Sequence, residues 1–325
     1  MSTKSLYRYR TINKYSIKAL MNDEIYATTP NNFNDPYDVI FLYDTEELVK
    51  LILSDEELLR NIYSELDHED LYTFSFESFY FYIKSTPSIF YSAIEILMNN
   101  AIKLFRKKHL IACFSENNKS EIMWAHYSNF GTGFVIKYDS NDLKNMCSEY
   151  LQKIDKNLFE NSDDKKQYGC FPVNYYGKKL NGTNLGYKII KAYFNSRQDY
   201  HNGKITRMKY THLSNEDFKT ITLNKMKAWE YEKEERIILP NDNEINDSAL
   251  IGYCRPRAVY IGEFMELHNK YLILNICKQK HIPVYHMESS LSTKLFGLQE
   301  IKYTNEEIDM ILNELVNEEK KIQVA

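Results

Sequence analysis

The chain reads as an α+β protein built on a central mixed β-sheet, and three observations predict that class. Strand-like runs recur along its length: LYRYR at 6–10, HLIACFS at 109–115, GFVIKYD at 133–139 and EERIILP at 234–240. Between them lie stretches with helical spacing of apolar residues, the longest being IFYSAIEILMNNAIKLF at 89–105. Near the end, RAVYIG and IPVYHM flank the helical MELHNKYLILNICKQK.

In order, LYRYR predicts a first strand, a short helix passes through Ile17 and Leu20, and EIYAT is a second strand leading into the turn-rich NNFNDPYD. From about 44 to 108 the pattern is helical, with Ser54 and Glu57 spaced as a capping box ahead of Leu58, Leu59 and Ile62. This region predicts a helical insertion after the second strand. HLIACFS returns to strand, MWAHY predicts a short helix, and GFVIKYD follows Gly131 and Gly133 as another strand. Residues 140–228 mix helices with a strand near CFPVNYY; EERIILP, RAVYIG and IPVYHM are the late strands. Thr304 and Glu307 cap a closing helix whose Ile308, Ile311, Leu312 and Leu315 share one face, so 264–325 reads as a C-terminal strand and helix extension. No internal repeat is present.

At 325 residues, one elaborated domain with insertions is the expected organisation. A net charge of -4 argues against a broadly basic nucleic-acid surface and leaves a local patch open. The short basic stretches at Phe105–Lys108 and Lys204–Lys209 read first as solvated helix faces. The five cysteines, at 113, 147, 170, 254 and 277, form no close pairs, fitting neither a zinc motif nor a disulfide framework, and read as reduced thiols. The start MSTKSLYRYR lacks an apolar leader and no run has the length of a membrane span, so a cytoplasmic protein without a membrane partner is expected. The spacing Gly177, Gly182 and Gly186 lacks the ending of a phosphate loop, which leaves Lys178 and Lys179 as loop residues.

The most informative stretch is WEYEKEERII, 229–238. Read as a strand, it puts Glu232, Glu234 and Arg236 on one face just ahead of Ile237, Ile238 and Leu239. Carboxylates entering a half-buried strand need a reason: either a site or an ion-pair ladder across neighbouring strands. In FNDPYD, Asn34, Asp35 and Asp38 are turn formers around Pro36, or rim residues of a pocket. In MWAHY, Met123, His126 and Tyr127 fall near one helix face, and His126 is a general base or a hydrogen-bonded core residue. Ser115 ends a strand without the surroundings of a serine-hydrolase elbow.

Taken together, LYRYR, FNDPYD, CFSE, MWAHYS, GFVIKYD and WEYEKEER resemble a bacterial family known only as domain of unknown function 2971, over roughly residues 6–263. Its layout in turn resembles ADP-ribosyltransferases, with their split sheet: a basic residue on the first strand, an aromatic on a central one, a glutamate on a late one. Many relatives carry His where this chain has Arg8. The resemblance implies NAD as substrate, transferred to a protein or nucleic-acid acceptor or hydrolysed, in a toxin-like effector of bacterial conflict or phage defence. It assigns Glu234 to stabilising the ribose cation, Glu232 to steering the acceptor, and Arg8 or Arg10 to the pyrophosphate. Tyr9, Trp124 or Tyr127 would stack on nicotinamide, with Asn34, Asp35, Ser115, His126 and Arg236 around the pocket. A nucleic-acid-directed binding protein or metal-dependent nuclease is the alternative, and a non-enzymatic partner-binding module is a third class.

Overall fold

The computed structural model describes residues 4–65, 75–154, 164–176, 181–202, 214–241, 246–290, 292 and 297–324. The elements run β1 (Ser5–Arg10), α1 (Lys14–Asn22), β2 (Glu24–Thr28), α2 (Thr45–Ser54), α3 (Glu56–Ser64), α4 (Phe76–Ser85), α5 (Ile89–Lys107), β3 (His109–Ser115), α6 (Glu121–Tyr127), β4 (Phe134–Asp139) and α7 (Ser140–Lys153). There follow β5 (Gly169–Pro172), β6 (Asn174–Tyr176), α8 (Thr183–His201), α9 (Asn215–Leu223), β7 (Asn224–Met226), β8 (Glu234–Pro240), β9 (Ser248–Tyr253), β10 (Ala258–Ile261), α10 (Leu267–Lys280), β11 (Val284–Ser290), β12 (Gly297–Lys302) and α11 (Asn305–Val324). The protein is α+β, with helices following β2 as the spacing predicts. Two compact units emerge: Met1–Thr29 with His109–Tyr175 and Lys227–Ala325, and Pro30–Lys108 with Tyr176–Met226. The predicted helical insertion thus shares its unit with 176–226.

The first unit holds a mixed sheet in the order β12-β11-β10-β4-β1-β3-β2-β9, with β8 also on β3 and β5 on β8. Only β10 and β11 run parallel among these pairs, joined through α10, the kind of crossover a parallel pair requires. The longest ladders are β3 with β8, β1 with β4 and β11 with β12. β1 meets β3 through the single pair Tyr7 and Ser115, so the sheet narrows to one register contact there. One face buries Leu6, Phe114, Ile136, Tyr138 and Ile237 with residues of α7 and α10; the other carries Tyr9, Val135 and Tyr260 under Met123 and Trp124 of α6. β9 and β12 were not read from the sequence. SALIGY carries a left-handed glycine at Gly252, and GLQEIK has no fully buried residue, so neither has the apolar alternation of a core strand.

The second unit is helical. α2 and α3 bury Leu48, Val49 and Ile52, then Leu58, Leu59 and Ile62, and α8 packs on both. The Ser54 capping box is corrected: Ser54 closes α2, and Asp55 is the N-cap of α3, its side chain accepting from Leu58 N at 3.1 Å. Asp wins because its carboxylate reaches the first-turn amides and suits the positive end of the helix. The Thr304 and Glu307 box of α11 forms as read, with Glu307 N on Thr304 Oγ1 at 3.2 Å and Thr304 N on Glu307 Oε2 at 2.7 Å. Gly177, Lys178, Lys179 and the Lys204–Lys209 stretch lie outside the described residues. No helix among the described residues is long and apolar enough to cross a membrane.

Candidate functional site

The WEYEKEER stretch does not form one strand. Lys227–Glu232 is a 3-10 turn, Lys233 has left-handed backbone with φ 43°, and β8 begins only at Glu234. The turn is pinned to the end of β3. Ser115 Oγ donates to the Glu232 carbonyl at 2.6 Å, and Glu116 N donates to the Lys233 carbonyl at 3.0 Å. Glu232 therefore does not share a strand face with Glu234 and Arg236 as the spacing predicts; a residue at φ 43° breaks the period-two pattern.

Glu232 is buried and accepts from Tyr127 Oη at 2.5 Å. One residue earlier, Tyr231 Oη lies 3.1 Å from His126 Nδ1. Helix α6 supplies both partners from its last turn, His126 and Tyr127 being consecutive residues that reach consecutive residues of the 3-10 turn. His126 is exposed, which corrects the expectation of a core histidine. Tyr231, an aromatic inside an acidic run, is the residue that sequence reasoning missed; its spacing one before Glu232 was the available signal.

Glu234 and Arg236 form a fork within β8. Arg236 Nε lies 2.7 Å from Glu234 Oε1 and Nη2 lies 3.1 Å from Oε2, with Arg236 0% exposed. This pair runs along one strand, two residues apart, while Arg236 stands opposite Cys113 on β3 and Phe171 on β5. The Glu234 amide hydrogen goes to Tyr175 Oη at 2.8 Å.

The arginines of β1 do not join these carboxylates. Tyr7 faces Ser115, and Ser115 faces Glu234, so those three share one side of the sheet. Arg8 and Arg10 alternate with Tyr7 and Tyr9 and take the other side with Leu6. Arg8 Nη2 donates to the Tyr26 carbonyl at 2.6 Å, and its guanidinium stacks 5.4 Å from the Phe114 ring centre. Burial pulls its pKa down to about 9, with Arg10 adding repulsion, and burial lowers that of Arg10 too. The carboxylate sharing the arginine side is Glu235, opposite Phe114, which takes Lys4 Nζ and the Cys170 thiol.

Trp124 is 4% exposed, donates from Nε1 to the Asn118 carbonyl at 2.7 Å, and meets Tyr9 edge-on at 5.5 Å. Tyr9 Oη donates to the Asn117 carbonyl at 2.8 Å, and burial pushes its pKa up. Asn34 and Asp35 belong to the second unit. Asn34 is exposed, and Asp35 Oδ1 accepts from Tyr37 N at 2.8 Å, the turn geometry that the Asx residues predict. Among the described residues no three His, Cys, Asp or Glu side chains are grouped to hold a metal ion.

Residues 123–237 match the model of a family described as Protein of unknown function (DUF2971). The matched stretch runs from α6 through β4 and α7 into β8, and so contains His126, Tyr127, Tyr231, Glu232, Glu234 and Arg236. No match to a curated protein or to a solved structure is found.

Proposed function

We propose that the protein acts on the N-glycosidic bond of a nucleotide, with NAD as donor in an ADP-ribosyltransferase-like or hydrolytic reaction, and that Glu232 is the carboxylate serving the chemistry. The observation that carries this is the buried Glu232 carboxylate oriented by Tyr127 Oη at 2.5 Å, with the His126–Tyr231 pair beside it. When the bond from ribose C1′ to nicotinamide breaks, nicotinamide leaves with the electron pair and positive charge develops on the sugar. A fixed carboxylate is the group that such charge calls for. Both oxygens of Glu234 already meet the Arg236 guanidinium, so Glu234 serves to hold the start of β8 in place. These residues fit the charge-stabilising half of the reaction. Arg8 and Arg10, on the other side of the sheet, do not supply the phosphate-holding half to the same site.

The test is nicotinamide release from NAD by wild type and Glu232→Gln, with protein and nucleic-acid acceptors supplied. Loss of one transition-state electrostatic contact lowers the rate on the order of 10²–10³-fold while the fold survives. A wild type inactive with every acceptor, together with no NAD binding by calorimetry, overturns the reading.

A further inference from the structure

We propose that a cavity of about 310 Å³ beside α6, whose lining includes neither Glu232 nor its partner Tyr127, binds a small organic cation, an ammonium carrying apolar substituents. Glu121, Trp124 and Ala125 of α6 line it, whereas His126 and Tyr127, which serve the site above, do not. Its apolar wall is Trp124, Phe130, Phe264, Met287 and Leu298. Its charged lining is Glu121 and Glu263, with no basic side chain. Aromatic faces and carboxylates together select cations with apolar surface, because ring quadrupole and net charge attract the same ligand. The volume lies at the lower end of small-molecule pockets, which excludes a folded partner from its interior.

The rim is built rather than incidental. Asn129, Phe130 and Gly131 all have left-handed backbone, φ 51°, 55° and 78°, and the loop presents Phe130 with 75% of its surface exposed. Successive non-glycine residues in that region cost free energy and persist where the surroundings enforce them. Here Phe130 N bonds the Ala125 carbonyl at 3.1 Å, and Phe264 N bonds the Gly131 carbonyl at 3.1 Å. A Cβ at Gly262 would meet Gly131 O at 2.0 Å, so the two loops touch backbone to backbone. Phe264, 65% exposed, is thereby fixed beside Gly131 on the same cavity. Ser289 Oγ donates to Glu263 Oε2 at 2.6 Å, orienting a carboxylate that has no ion pair among the described residues.

Isothermal titration of the full chain with benzyltrimethylammonium and with choline tests this, using 3,3-dimethylbutan-1-ol as the uncharged match in shape for choline. The cations are expected to bind saturably and the alcohol more weakly. Phe264→Ala, Phe130→Ala and Glu263→Gln each weaken cation binding by about 2- to 30-fold, the span of a cation–ring or single charge contact. All are exposed positions, and unchanged thermal unfolding verifies that the variants fold. Absence of saturable binding by either cation, equal binding of the alcohol, or indifference to all the substitutions in folded protein overturns the proposal.

Discussion

Arg8 and Glu234 face away from each other across the central sheet, although each lies on a strand next to β3. Arg8 stacks over Phe114, Glu234 stands opposite Ser115, and consecutive residues of one strand point to opposite sides. Two neighbouring glutamates therefore lead separate lives: Glu234 joins Arg236, and Glu235 joins Lys4.

The Glu234–Arg236 fork is expected to show the asymmetry of buried ion pairs. Glu234→Gln or Arg236→Met alone lowers stability by about 3–5 kcal/mol, because a buried charge is left behind. The double variant loses much less than the sum. Urea unfolding of the four proteins measures this, and additive losses contradict a coupled pair.

Trp124→Ala is expected to lower stability by about 3–5 kcal/mol, as removal of a core aromatic does. It deletes the edge-on contact with Tyr9 and orphans the Asn118 carbonyl. Its effect on nicotinamide release should follow the folded fraction. A folded variant with normal stability would show that Trp124 is not part of the packing.

Gly262→Ala places a methyl group 2.0 Å from Gly131 O, a backbone atom with no rotamer to yield. The overpacking should cost at least about 1–3 kcal/mol. Differential scanning calorimetry checks it, with an unshifted transition as the contrary outcome.

Acid stability in the helical unit is expected to depend on Asp55. Burial pushes its carboxyl pKa up, but hydrogen bonds from Lys191, Tyr187 and the Leu58 amide outweigh that and hold it below the usual carboxylate range. A folded value below the unfolded one gives stability that is fully present above about pH 4 and lost as pH falls through the folded value. Asp55→Asn keeps the helix cap and removes the charge. The melting temperatures of wild type and variant should differ at neutral pH and converge in acid; a constant gap at every pH would rule out Asp55 as the titrating group.

Local chemistry was enough to place many elements. Alternation in LYRYR and GFVIKYD, apolar spacing at 89–105, and the Thr304–Glu307 box each act over a few residues, and they appear as β1, β4, α5 and the cap of α11. The α+β class follows from their mixture. What the sequence by itself did not determine is which side of the sheet each charged residue takes. That rests on Lys233, whose left-handed backbone ends the 3-10 turn and resets the strand alternation at Glu234. It rests also on register: pairing Tyr7 with Ser115 and Ser115 with Glu234 sends Arg8 to the other face, and a shift of one residue would reverse that outcome. Partner choice was likewise tertiary, since Glu232 reaches Tyr127 and Glu235 reaches Lys4 only because β1, β3, β8 and α6 converge from positions far apart in the chain. Periodicity is a short-range property; the side of a sheet on which a charge is buried is settled by long-range pairing.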